Sequence, residues 1–424
     1  MTALGTAAPA VTPLSRNRGF HLLWLGEGVS VLGNATTSVL LPLLAVVAFG
    51  AGPGWMGALA TAAWLPWLVI GLPAGAWVDR LPARGVMIAA DLVSAAAYAS
   101  VPLAWLLDIL TLQHLVVVAF TGGVATVFFR TAYAVFLPQV VPPEQLEDAN
   151  GRMFGTESAM QIAGPGLGGL LAQWFSAAFG LLLDAASFLV SAVCLWRIRP
   201  DRPAPTLSAT PARLGARIRE GIDFVRHDRY LPWFTAIGGL SNLGLTGFGA
   251  LLVLFLVRDL DLDPSGVGIV MMAGSSGGLL GALVAARISR RIGSGRASTL
   301  LLLGSGLPAL LLPLATPGAG VALVVAGLFA VGACVVAGNV IRGAWRQRYV
   351  PARLMGRVIT STQLVNFGTM PVAGVLAGWL GAQLGIRETI AVMAAVHAGA
   401  SLLILLSPLR GLHDLPEPEQ PDDC

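Results

Sequence analysis

Twelve stretches of about 20 apolar residues punctuate this chain, and their spacing settles most of what it can fold into. They run at 21–48, 55–78, 86–107, 112–134, 154–176, 178–196, 232–257, 265–287, 298–315, 319–341, 358–382 and 388–408. A helix of roughly 20 residues crosses the hydrocarbon core of a bilayer. Inside lipid every backbone N–H and C=O must find a partner within the protein, so each stretch reads as a spanning helix. Stretch 298–315 is short and is interrupted by Pro308 and Pro313. Composition agrees with a membrane protein. Of 424 residues, 55% are hydrophobic and only 11% are charged, against about 25% charged in a soluble domain. The expected fold class is an all-α membrane protein with twelve transmembrane helices.

All 26 basic residues are arginine, and their placement orients the helices. Arg16 and Arg18, Arg80 and Arg84, Arg152, the stretch from Arg197 to Arg229, then Arg287 to Arg296, Arg346 to Arg357, and Arg410 all fall on alternate connections. The other connections hold only Arg258 and Arg387, while Arg130 and Arg342 sit at or inside helix ends. By the positive-inside rule the arginine-rich face is cytoplasmic, and both termini lie there. The net charge of +4 thus answers to orientation rather than to nucleic acid. No cleavable signal peptide is visible, because the first apolar run is too long.

One long connection, 197–230, splits the chain. It opens with a Pro-rich stretch and continues with Leu214, Ile218, Ile222 and Val225. That spacing makes one apolar face, so an amphipathic helix lying on the membrane surface is expected. The organisation is then a cytoplasmic N-terminal segment 1–20, a six-helix bundle 21–196, the central loop 197–230, a second six-helix bundle 231–409 and a cytoplasmic tail 410–424. The bundles read as repeats. Ser30-Val-Leu-Gly33 recurs as Ser241-Asn-Leu-Gly244, offset by 211. Arg130-Thr-Ala-Tyr133 recurs as Arg342-Gly-Ala-Trp345, offset by 212, and Pro165-x-x-Gly168 recurs as Pro371-x-x-Gly374, offset by 206.

Between the second and third runs the chain must turn within a few residues, at Gly75-Ala-Trp-Val-Asp79-Arg80-Leu-Pro-Ala-Arg84. Three charges place this turn in water or in the headgroup layer, an acid beside arginines suits a joint that makes and breaks ion pairs, and Gly75 permits close approach of a neighbouring helix. The stretch resembles the loop between helices 2 and 3 of the major facilitator superfamily, whose pattern is G-x-x-x-D-R-x-G-R-[KR]. Gly75, Asp79, Arg80 and Arg84 match. Pro82 and Ala83 depart from the pattern, and the final basic residue is missing. In the second half Ala285 stands where Asp79 would be. The segments Arg18-x-Phe20-x-x-Leu23-Trp24-x-Gly26 and Leu137-Pro138-x-Val140-x-Pro142 further resemble bacterial drug and siderophore exporters, of the macrolide-efflux and enterobactin-exporter kind. The resemblance implies two bundles that rock about a central cavity, with the Asp79 loop stabilising one facing state. Gly164-Pro165-Gly-Leu-Gly168-Gly169 matches the G-P-x-x-G-G core associated with antiporters. Physically, Pro165 bends the helix and the glycines allow tight packing, so Gly164, Pro165, Gly168 and Gly169 join the gating candidates.

An ionisable group within a span is costly and therefore a functional candidate. Glu27, Asp91, Arg130, Glu157 and Asp184 all belong to the first half, while the second half offers His397 within a span and Arg342 at a helix end. In the resembled architecture helices 1, 4, 7 and 10 line the cavity, which favours Glu27 and Arg130 and makes Asp91, Asp184 and His397 chiefly structural, the two aspartates pairing with loops near the faces. Glu27, Ser30, Asn34 and Ser38 recur at helical spacing on one face. A carboxyl away from water exchanges its proton nearer neutral pH, as a proton-coupled exporter requires. Proton-coupling candidates are therefore Glu27, Glu157 and Asp184, with Glu27 first unless it is fixed in an ion pair, for which Arg130 is one partner. Cavity candidates are Ser30, Asn34, Ser38, Arg130, Asn242, Thr246 and Asn339, followed by Gln363 and Asn366.

No phosphate-binding loop is present, Cys194, Cys334 and Cys424 have no metal or redox spacing, and the absence of lysine excludes a Schiff base. No enzyme chemistry, cofactor, metal or nucleic acid is expected. The expected partners are a small-molecule substrate, protons and the lipid bilayer, the expected state is monomeric, and the expected location is a bacterial inner membrane. The function indicated is export of hydrophobic or amphipathic small molecules against protons. Import on the same fold, or a transporter-like sensor that moves nothing, are the alternatives, separated by the direction and existence of flux.

Overall fold

A computed structural model describes residues 14–78, 80–199 and 214–417. The described chain is helical throughout: α1 (Arg18–Phe49), α2 (Pro53–Val69), α3 (Gly71–Val78), α4 (Ala83–Leu106), α5 (Leu112–Val140), α6 (Leu146–Trp174), α7 (Ala177–Arg197), α8 (Leu214–His227), α9 (Leu231–Arg258), α10 (Pro264–Ile292), α11 (Ser294–Ala309), α12 (Val321–Tyr349), α13 (Ala352–Leu384) and α14 (Ile386–Leu402). Taking α2 and α3 as one interrupted rod and setting α8 aside, the rods correspond in order to the apolar stretches. Among the described residues, ten helices are long and apolar enough to cross a membrane. The two rods that fall short are the interrupted α2–α3 and α6, the least apolar of the long helices.

Local chemistry fixes the ends. The Asn17 side chain accepts from Phe20 N at 2.9 Å and donates to Val140 O at 2.9 Å, capping α1 while tying it to the end of α5. Asp263 caps α10 through Gly266 N at 3.0 Å, ahead of Pro264 at the first helical position, where a missing N–H costs nothing. α1 ends at Gly50, whose φ of +58° only glycine adopts readily. The interruption at Ile70 follows from Pro73: its ring nitrogen cannot donate to the carbonyl four residues back, which is Val69, the last residue of α2.

The rods form two six-helix bundles. In the first, α1 packs on α6 and α7, and α4 on α5 and α7; in the second, α9 packs on α13 and α14, and α12 on α10 and α11. Small residues set the distances. A methyl added at Gly26 would lie 3.1 Å from Cys194 Cβ, and one at Gly244 would lie 2.8 Å from His397 Cβ. These two are repeat-related crossings of α1 on α7 and of α9 on α14. The connection helix α8 packs on the second bundle near its end: Val225 joins a core with Trp345 and Val358, and Glu220 pairs with Arg357 of α13. The side chains of Leu214 and Ile218, and the Pro-rich start of the connection, lie outside the described residues.

Candidate functional site

The bundles meet through small residues at the end away from the arginine-rich loops. On one side α2 crosses α13, where a methyl at Gly57 would sit 2.6 Å from Gly378 Cα. Thr61 Oγ1 lies 3.2 Å from Pro371 O, within donating distance. On the other side α6 crosses α10, where a methyl at Gly169 would sit 2.5 Å from Pro264 O and 2.9 Å from Gly268 Cα. The repeat relation seen in sequence, Pro165-x-x-Gly168 with Pro371-x-x-Gly374, maps these two crossings onto each other. Arg258 completes the closure by donating to Gly50 O at 2.7 Å and Ala51 O at 3.1 Å in the other bundle. The glycine motif of α6 has two faces. Gly164 and Gly168 press on Ala35 and Thr36 of α1 in their own bundle, while Pro165 and Gly169 press on the other bundle.

Beneath these crossings lies a cavity of about 470 Å³ between the bundles. Asn34, Thr37 and Ser38 of α1, Tyr98 of α4, Thr126 of α5 and Thr246 of α9 supply polar groups; Trp64, Trp67, Met56 and Met271 supply apolar wall. Trp67 meets Phe367 across the bundles at 5.2 Å between ring centroids. Of the residues proposed from sequence as cavity-lining, Asn34, Ser38 and Thr246 lie in this wall. Ser30 is not: it is 6% exposed, on the edge of α1 that carries Gly26 and Gly33 against α7. The aromatic wall has a signal in the sequence, two tryptophans three residues apart in an apolar run, which a pattern of polar residues does not register.

A second, small pocket of about 60 Å³ belongs to the first bundle alone and gathers Glu27, Arg130, Tyr133 and Glu157. Arg130 pairs with Glu157 at 2.7 Å, not with Glu27. Glu27 Oε2 is buried without a hydrogen-bond partner among the described residues. Both helices run further than their apolar stretches, so Arg130 stands ten residues inside the end of α5 and Glu157 about three turns inside α6. An apolar count stops at the first charges, whereas a helix continues past the bilayer.

Asp184 and Asp91 do not pair with loops. Both are buried between α1, α4 and α7. Asp184 accepts from Thr37 Oγ1 at 2.5 Å and from Ser187 Oγ at 3.2 Å, and Asp91 lies against Ser191. Gly33 leaves room for this arrangement, since any side chain there would strike Asp184 and Ser187. Because Thr37 also lines the central cavity, Asp184 stands directly behind the cavity wall.

In the second bundle a cavity of about 280 Å³ opens among α9, α11, α12, α13 and α14, with His397 of α14 in its wall. Asn242, Asn339, Gln363, Asn366, Arg342 and Arg346 line it. Arg342 lies seven residues inside α12 rather than at its end. Its Nη2 donates to Asn339 Oδ1 at 2.9 Å, and Nη1 is buried without a partner among the described residues.

The charged loop between α3 and α4 is held by its own bundle. Arg84 Nε donates to Leu195 O at 2.8 Å and its Nη2 to Trp196 O, satisfying carbonyls that end α7. Arg80 is exposed. Asp79 lies outside the described residues. The close approach expected at Gly75 is absent, because nothing among the described residues lies within 4 Å of where a methyl would be; α3 meets α5 through Trp77, which stacks on Phe128 at 5.9 Å between ring centroids.

Comparison with known proteins agrees with this architecture. A profile of the Major Facilitator Superfamily matches residues 23–370. The multidrug efflux pump Tap of Mycolicibacterium fortuitum is 30% identical over 372 residues, covering 84% of this chain and 88% of that protein. Macrolide efflux protein A of Streptococcus pyogenes is 24% identical over 268 residues, covering 62% and 65%. Among solved structures, the nucleoside transporter NupG superposes with a TM-score of 0.76 at 12% identity, covering 92% of this chain and 98% of that one. A bacterial homologue of the iron transporter ferroportin in its inward-facing state gives 0.73 at 17% identity, covering 92% and 98%. The chain is a multi-pass membrane protein of a transporter family rather than an enzyme, and it belongs to the Major Facilitator Superfamily.

Proposed function

We propose that this protein exports hydrophobic or amphipathic small molecules, drug-like compounds or siderophores, across a bacterial inner membrane in exchange for protons. All twelve rods cross the bilayer, the arginine-rich loops and both termini face the cytoplasm, and the halves 21–196 and 231–409 rock about the cavity between them. The observation that carries the reading is the cavity of about 470 Å³, walled by Trp64 and Trp67 yet holding Asn34, Ser38 and Thr246. An apolar chamber with few polar groups accepts many amphipathic solutes. The efflux names of the relatives point the same way.

Proton coupling falls to Glu27. Arg130 is already neutralised by Glu157, so Glu27 is the carboxyl of its pocket left to gain and lose a proton. Asp184 and Glu157 are the reserves, Asp184 because only Thr37 separates it from the cavity. The crossings at Gly57 and Gly169 close the outer end in the cytoplasm-facing state, and Asp79, Arg80 and Arg84 stabilise the opposite one.

Proteoliposomes with an interior pH dye test this directly. Lipophilic cations, macrolides and siderophores are screened for substrate-driven proton flux in wild type and in Glu27→Gln. Flux with one compound class, lost in Glu27→Gln, supports the reading. Flux that persists moves the proton site to Glu157 or Asp184, substrate movement without protons refutes antiport, and uptake in place of expulsion refutes export.

A further inference from the structure

The two bundles treat the same arginine differently. Arg130 of the first and Arg342 of the second occupy repeat-related positions, 212 residues apart. In the first bundle Glu27 and Glu157 share the pocket of Arg130. The α1–α9 offset of 211 carries Glu27 to Gly238, and the α6–α13 offset of 206 carries Glu157 to Gln363. Gly238 and Gln363 both line the cavity of Arg342. The carboxylates that neutralise the first arginine therefore have no counterparts around the second.

The rest of that cavity continues the pattern. Arg346 adds a second guanidinium, and no aspartate or glutamate is among the lining residues. Besides Arg342 Nη1, Ser241 Oγ, Asn366 Oδ1 and both ring nitrogens of His397 are buried without a hydrogen-bond partner among the described residues, so the cavity holds one orphaned acceptor beside its guanidinium and hydroxyl donors. A methyl at Gly238 would lie 2.7 Å from Asn366 Oδ1, so the position that corresponds to Glu27 has room for the Asn366 amide and for no side chain of its own. Buried donors without acceptors are costly, more so when charged. A planar guanidinium suits bidentate contact with a carboxylate or phosphate.

This polar cavity and the apolar central one lie on consecutive turns of the same face of α9. Leu245 lines both. Phe367 lines the polar cavity and contacts Trp64 and Trp67, which line the apolar one. An elongated ligand with one anionic end and an apolar body fits along this face.

We infer that Arg342, with Asn339, Gln363 and Ser241 around it, binds the anionic group of an amphipathic solute whose apolar body rests against Trp64, Trp67 and Phe367. The inference rests on the export reading only in calling that solute a cargo.

The test uses a matched pair, dansyl-leucine and its uncharged methyl ester, with binding read by tryptophan-to-dansyl energy transfer in phosphatidylcholine nanodiscs. The full chain binds the carboxylate at least roughly tenfold more tightly than the ester, and Arg342→Gln removes that preference while leaving ester binding within about twofold. Arg342→Lys keeps the sign of the preference. Gln363→Glu restores the first bundle's self-pairing and abolishes it. Equal binding of acid and ester, a preference that survives Arg342→Gln or Gln363→Glu, or binding of neither probe overturns the inference. In discs containing phosphatidylglycerol, retained dansyl-leucine binding assigns the site to a solute; its loss assigns it to a lipid headgroup and overturns the solute reading. If the preference is missing while Glu27-dependent proton flux persists, this inference alone fails. Anion binding without any flux refutes export and leaves the site standing.

Discussion

Replacing Gly169 by alanine should tip the balance between the two facing states. The added methyl lies 2.5 Å from Pro264 O and 2.9 Å from Gly268 Cα. Ordinary contact between such atoms needs about 3.5 Å, so α6 and α10 must part by roughly 1 Å at their crossing. Overpacking of this kind costs about 1–3 kcal/mol. Alanine also favours the helix over glycine by about 1 kcal/mol, but that gain applies in both facing states and cancels between them. The clash exists only while the bundles are in contact at this end. The population with this end open should then rise by roughly 5- to 150-fold. Spin labels at Ala134 and Ala344, both exposed near the arginine-rich ends of α5 and α12, report the change. Cys194, Cys334 and Cys424 are first replaced by alanine. Pulsed dipolar spectroscopy should show a shorter separation gaining weight in Gly169→Ala. Gly168→Ala is the control: its methyl lies 2.8 Å from Thr36 O, within the same bundle. It should lower the melting temperature without moving the distance distribution. An unchanged distribution in a folded Gly169→Ala protein, or an equal shift in Gly168→Ala, refutes the assignment of this crossing as a closure point.

Arg258→Gln removes the bonds to Gly50 O and Ala51 O. Hydrogen bonds from charged donors contribute about 1.5–3 kcal/mol, an upper figure at this partly exposed site, and the same label pair should shift in the same direction as in Gly169→Ala. Thr37→Val strips the buried Asp184 carboxyl of its closest donor; a loss of about 1–3 kcal/mol is expected, read as a lower melting temperature, and a melt matching wild type refutes it. The tail after α14 gives a pH test. Asp414 accepts from Ser294 N at 2.9 Å and Ser294 Oγ at 3.2 Å, which together with His413 hold its carboxyl below its ordinary value of 3.8. A depressed acid stabilises the docked tail above the unfolded value and loses that contribution as pH falls through the folded one. Intrinsic-rate-corrected hydrogen exchange at the Leu415 amide, which donates to Ser294 Oγ at 2.8 Å, should stay protected near neutrality and lose protection below pH 3.8; equal protection in Asp414→Ala refutes the role of the carboxyl.

The helices and the tight crossings were legible in sequence because both rest on local composition. An apolar run of fixed length must be helical in lipid, and Gly164-Pro165-x-x-Gly168-Gly169 has no bulk with which to hold a neighbour away. Partner choice was not legible. Arg130 chooses Glu157 over Glu27, and Asp184 chooses Thr37, because of rotational positions that a one-dimensional pattern leaves open by a turn. Ser30 illustrates the limit. It shares a helical spacing with Glu27 and Asn34, yet lies on the neighbouring strip of α1 that faces α7. The break before Pro73 was readable from proline chemistry, but an apolar count passes over proline without registering it.

That break has a mechanical consequence. α2 carries the Gly57 crossing at one end, and α3 carries the charged turn at the other. A rod with a missing backbone bond at its middle bends more easily than it slides. Torque applied at the turn is therefore absorbed at Ile70 before it reaches Gly57. The stiffer linkage runs through α4, clamped to the end of α7 by Arg84, and from α7 to α1 along the Gly26 and Gly33 seam. The first bundle is then stiff along its α4–α7–α1 edge and compliant along its α2–α3 edge, so a displacement of the turn between α3 and α4 is transmitted through Arg84 and the Gly33 seam rather than along α2.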